Sequence, residues 1–148
     1  MRSPNYNSTR IWLAVLLLIL TVAATGCTVR YVAEYDASIK DEIVRIAKEV
    51  DLFYGQLLEA PPNQRQYDKY KDTYLKIEAD LRALKMQNEI REFNKESTKQ
   101  TQNALDLWIE DKQNHRKNNT VDDATIKLHR RQFTRVFVAM AKGEIVKQ

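Results

Sequence analysis

The sequence predicts an all-α protein, a helical bundle of three to four helices with a long antiparallel helix hairpin on its N-terminal side. Three observations carry this. Beyond residue 26 the chain holds only two glycines, Gly55 and Gly143, and two prolines, Pro61 and Pro62, so it lacks the punctuation of short strands. Its apolar residues recur at spacings of three and four, the period of one helix face. No internal repeat beyond these stripes and no low-complexity linker divides it, which predicts one domain over residues 27–148 after a leader of residues 1–26.

The leader begins with Arg2 and Arg10, continues as an uncharged run from Ile11 to Thr25, and ends in small residues, Ala23 to Gly26. This is the layout of a secretory signal peptide. A spanning helix needs about 20 apolar residues, and this run turns small and polar by Thr21. The four residues "ATGC", Ala24 to Cys27, resemble a bacterial lipobox, with alanine where leucine is usual. That resemblance implies cleavage before Cys27 and a diacylglyceryl anchor on its sulfur. Thr28, rather than aspartate, next to the cysteine implies delivery to the periplasmic face of an outer membrane.

The bland alternative leaves Cys27 as a thiol at the end of an uncut membrane helix. As the only cysteine in the chain it has no intramolecular disulfide partner, and an unpaired exported thiol is a liability that acylation removes.

The first stripe runs Val32, Tyr35, Ile39, Ile43, Ile46, Val50, Phe53 and Leu57. It ends at "EAPPNQ", where Ala60 precedes a proline and is driven out of the helical region. Asn63, answered by Gln66, is the expected cap of the next helix. A second stripe follows with Tyr67, Tyr70, Tyr74, Ile77, Leu81 and Leu84, so the two helices, each about 28 residues and roughly 40 Å long, are expected to zip together.

Past Leu84 the stripe shifts phase to Met86, Ile90 and Phe93 before the polar stretch "NKESTKQTQN". One continuous helix with a shifted stripe is compatible with this; a break near residues 94–97, with Ser97 and Gln100 as a capping box, is preferred. Ala104, Leu105, Trp108 and Ile109 form a short third face. "HRKNNTVDDAT" marks the next interruption, with Thr120 as expected N-cap and Asp122 and Asp123 in the first turn. The last helix turns Ile126, His129, Phe133, Val136, Phe137 and Met140 inward, and Gly143 is the expected stop.

Enzyme chemistry finds little support, and neither a metal nor a cofactor is expected. The two histidines, His115 and His129, have no neighbour at ligand spacing. His115, in a polar stretch, is expected in solvent, and His129 is expected to pack. The carboxylate pairs Glu34/Asp36, Asp41/Glu42 and Glu49/Asp51 flank an apolar stripe, where solvated charge is the ordinary account. Gly55 marks either a close helix contact or a tolerated glycine. Tyr67, Tyr70 and Tyr74 are expected in the core with hydroxyls at the rim; Tyr31 suits that core role and a membrane or protein interface equally.

Charge is uneven. Residues 27–111 carry 13 basic and 17 acidic groups, and residues 112–148 carry 9 and 3. On the last helix Lys127, Arg131, Arg135 and Lys142 project opposite Phe133, which marks either a solvated face or a site for an anionic partner. Nucleic acid is improbable for an exported protein.

The chain is similar in its signal region and helical character to small helical lipoproteins of Gram-negative bacteria. Its predicted role is a non-enzymatic binding or scaffolding component of the envelope, held to the membrane by lipid on Cys27 and meeting an envelope protein or an anionic envelope component. A homo-oligomer joined through its heptad seams and a bundle that binds a small ligand are the alternatives.

Overall fold

The computed structural model describes Trp12 and residues 31–148. The expectations for residues 1–26, the cleavage site and Cys27 lie outside the described residues. Tyr31–Gln148 is an up-and-down bundle of four helices: α1 (Ala37–Glu59), α2 (Lys71–Glu89), α3 (Lys95–Asn118) and α4 (Asp123–Ile145), with 3₁₀ turns at Pro62–Gln64 and Tyr67–Lys69 between the first two. No strand occurs among the described residues, so the all-α bundle read from the sequence is the fold.

The helices form a closed ring in which only neighbouring backbones come close, while α1 and α3, diagonally opposite, meet through side chains across the core. Cross-helix bonds fix the antiparallel registers: Asp36 to Glu144 and Asp51 to Arg130 for α1/α4, and Asn88 to Thr101 and Tyr74 to His115 for α2/α3. The N-terminal hairpin is present, but zipping is strongest elsewhere. α1 packs most extensively on α4, and α2 on α3.

The predicted stripes make the core. Ile39, Ile43, Ile46, Val50, Phe53 and Leu57 of α1 meet Tyr74, Ile77, Leu81 and Leu84 of α2, Ala104, Leu105 and Trp108 of α3, and Ile126, Phe133, Phe137 and Met140 of α4. Phe53 lies at its centre, edge-on to Tyr54, Tyr74 and Trp108 with ring centroids 4.6–5.2 Å apart. Trp108 donates its indole N–H to the Tyr74 carbonyl at 3.0 Å, so its polar handle is satisfied although the side chain is sealed.

Helix ends depart from expectation for local reasons. Both hairpin helices are shorter than read, at 23 and 19 residues. The Asp36 carboxylate accepts from the Ser38 and Ile39 amides and starts α1 there, which leaves Val32 exposed. Ala60 is extended, as its proline neighbour requires. Asn63 caps nothing; the chain takes two 3₁₀ turns before α2.

The break after α2 is real, at Ile90–Asn94. Phe93 adopts φ 57°, a conformation costly for a bulky residue. Asn94 holds this turn, bonding the Asn88 carbonyl and side chain at 3.1 and 2.8 Å. Ser97 is inside α3 rather than at its cap, and Met86, Ile90 and Phe93 face solvent.

α3 runs through "HRKNN" and stops at Asn119, whose φ of 53° is the left-handed cap that asparagine tolerates. Asp122, not Thr120, caps α4, because its carboxylate takes both the amide and the hydroxyl of Thr125, at 2.9 and 2.7 Å. Gly143 does not stop α4, which continues to Ile145. A β-carbon on Gly55 would meet nothing within 4 Å, so no helix approaches there.

Candidate functional site

Two places gather functional groups: the outer face of α4, and a polar cavity where α3 turns into α4. On α4 the core direction is set by Ile126, Phe133, Phe137 and Met140. At 100° per residue, Lys127, Arg131, Arg135 and Lys142 point away from it, and all four are exposed. The structure therefore brings Lys127, Arg131 and Arg135 together on one side, as their spacing predicted.

Lys127 stands 3.9 Å from Asp123, an exposed pair of little energetic weight. Arg131 and Arg135 have no acidic partner among the described residues, in contrast to Arg45, Arg65, Arg91 and Arg130, each bound to a carboxylate. A groove of about 450 Å³ runs between Leu128, Arg131, Gln132, Arg135 and Val136. Leu128 is 55% exposed. The face thus combines unneutralised guanidinium groups with apolar surface, which suits an anionic partner that also offers hydrocarbon.

At the α3–α4 turn the polar side chains are mutually tied. Asp111 Oδ2 accepts from the Tyr54 hydroxyl and, at 2.8 Å, from His129 Nδ1, which joins α1, α3 and α4 through one carboxylate. The Asp111 bond and charge raise the His129 pKa above the ordinary histidine value. Burial, with the adjacent Asp111 charge and bond, raises that of the Tyr54 hydroxyl. His129 thus packs, as expected, but also carries an ion pair that the one-dimensional pattern did not show.

His115 corrects the sequence reading outright. It is buried, not solvated, because α3 extends past it and turns it under Tyr67, Tyr70 and Tyr74. Its Nε2 donates to the Arg65 carbonyl at 2.8 Å, so its Nδ1 must accept from the Tyr74 hydroxyl at 3.2 Å. Burial lowers its pKa and keeps the ring neutral. Arg65 is itself buried, donating to the Ala60 and Val121 carbonyls and pairing with Asp123 at 2.7 Å.

The opposite end of the bundle carries a second buried polar cluster. Glu144, 1% exposed, accepts from Arg91 at 2.8 Å, Lys147 at 2.5 Å and the Asp36 amide at 2.9 Å. Its bonding is complete and no open volume adjoins it, so its role is to clasp the start of α1, the α2–α3 turn and the segment after α4. Among the described residues no group of three or more His, Cys, Asp or Glu could hold a metal ion, and no helix is long and apolar enough to cross a membrane.

No protein-family model, curated protein or solved structure matches this chain.

Proposed function

We propose that the protein is a lipid-anchored, non-enzymatic binding component of the bacterial cell envelope, attached through Cys27 at the periplasmic face of the outer membrane. Its binding surface is the Lys127–Arg131–Arg135 side of α4, and its partner is an anionic component of the envelope. The observation that carries this reading is the pair of unpartnered guanidinium groups, Arg131 and Arg135, beside exposed Leu128. Basic residues near an anionic surface contribute about 1 kcal/mol each, and such attraction is screened over about 8 Å at physiological ionic strength.

Two changes test the two halves of the proposal separately. Cys27→Ser abolishes incorporation of labelled palmitate and shifts the processing site. Lys127→Gln, Arg131→Gln and Arg135→Gln together keep the helical circular dichroism and reduce salt-sensitive binding to envelope extracts and anionic vesicles. Identical processing and detergent partition for the cysteine variant ends the anchor reading; unchanged binding by the triple variant makes the strip a solvated face. A concentration-dependent mass that falls with the triple variant assigns the face to a second copy instead.

A further inference from the structure

On a different side of α4 from Arg131 and Arg135 lies a cavity of about 80 Å³, with Tyr54, Asp111, Asn114, Asn118, Thr125 and His129 among its lining residues. Positions 129 and 131 are about 200° apart around the helix, so the cavity and the basic strip are separate surfaces. Most polar groups around it are engaged. The Asp122 carboxylate holds Thr125 twice, and the Tyr74 hydroxyl serves His115.

Asp111 is a buried exception. Its side chain is nine-tenths buried, yet both of its bonds fall on Oδ2. Its Oδ1 accepts nothing from any described residue, and it is not a sealed atom. An ionised carboxylate is purely an acceptor with about four lone-pair directions, and one left open in a cavity calls for a hydrogen-bond donor. The Asn114 and Asn118 side chains, also at the lining, have no partner among the described residues and can turn their amide oxygens to the same guest.

Charge narrows the class. No lysine or arginine lines the cavity, and two carboxylates, Asp111 and Asp122, stand against the imidazole of His129, the other imidazole in the wall, His115, being buried and neutral. An anion is therefore disfavoured. The Tyr54 and Tyr74 rings in the wall add π-surface that attracts a cation. Size narrows it further: a water needs roughly 10–15 Å³ and a drug-sized ligand about 300 Å³ or more, so this space admits a small charged head and little else.

We propose that this cavity binds a primary ammonium group, with its N–H bonds directed to Asp111 Oδ1 and the amide oxygens of Asn114 and Asn118. The site is independent of the α4 strip and of the anchor. The ammonium belongs either to a small free amine or to the end of a slim aliphatic stem.

The test titrates the isotope-labelled full chain with methylammonium chloride and with Nα-acetyl-lysine, following the imidazole of His129 and the side-chain amide of Asn118 by NMR. Saturable shifts with methylammonium alone identify a free amine, and saturable shifts with both identify an ammonium on a stem. Tetramethylammonium chloride, which has the charge without the donors, leaves the signals in place. Asn118→Ala keeps the fold, since that side chain is exposed, and weakens binding about tenfold, as loss of a charge-assisted bond does. Asp111→Asn abolishes binding; if it fails to fold, Asn118→Ala and the tetramethylammonium control carry the test. Absence of saturable shifts, an equal response to tetramethylammonium, or undiminished affinity in Asn118→Ala overturns the assignment.

Discussion

Glu144→Ala is the sharpest test of how this bundle is closed. Glu144 is 1% exposed and is the common acceptor for Arg91, Lys147 and the Asp36 amide. Truncation removes one charge and strands two, since the side chains of Arg91 and Lys147 are only 16% and 5% exposed. Breaking a buried ion pair by deleting one partner costs about 3–5 kcal/mol, a large share of the ~5–15 kcal/mol that holds a native domain. Urea unfolding of the parent and variant, followed by circular dichroism at neutral pH, measures the loss.

Glu144→Gln adds a sign test. Burial alone would raise the Glu144 pKa, but the bonds from Arg91 and Lys147 outweigh it and the net shift is downward. A carboxylate depressed in the folded state stabilises fully above its unfolded pKa of about 4.3 and loses that contribution as pH falls through the folded value. The parent's advantage over Glu144→Gln is therefore constant above about pH 5 and shrinks as pH falls below it through the lowered folded value. A loss below about 1 kcal/mol for Glu144→Ala, or a parent-to-Gln difference that is flat with pH, refutes the clasp.

Two other perturbations probe separate features. Gly55→Ala should stabilise by up to about 1 kcal/mol, read as a higher urea midpoint, because the new methyl group meets no atom within 4 Å; destabilisation would mean that something docks over that helix face. His129 has a raised pKa from Asp111, so its pairing stabilises fully below the ordinary value of about 6.5 and is lost as pH rises through the folded value. The urea midpoint of the parent should fall over that window relative to His129→Gln, and parallel profiles would count against the Asp111–His129 pair.

Much of the fold was legible because its core is written as period. Leu57 and Leu81 stood in their stripes, and both are fully buried. Side-chain competition at helix ends was less legible. Thr120 and Asp122 are both good caps, and what decided between them was the second bond Asp122 makes to the Thr125 hydroxyl. The polar interior was least legible. His115, Glu144, Asn94 and Thr101 sit in polar stretches and are buried because partners from distant elements satisfy them. The spacing of Lys127, Arg131 and Arg135 was enough to place them, since a surface strip depends on one helix alone. Asp111 gave no local signal; its significance arises from Tyr54 and His129, on two other helices.

The pairing of the first helix with the last has a consequence for the order in which the chain can become native. A polypeptide emerges from its N-terminus and its domains organise as they appear, but α1 finds its main partner only in α4, the last of the four helices. Until then Ile39, Ile43 and Ile46 have no α4 to cover them. The α2–α3 hairpin, joined by a short turn and built from near neighbours in sequence, can assemble long before. Early stages of synthesis therefore present an adhesive apolar ridge that only α4 covers, and a ribosome that pauses before residue 123 leaves that ridge open to whatever chaperone is at hand.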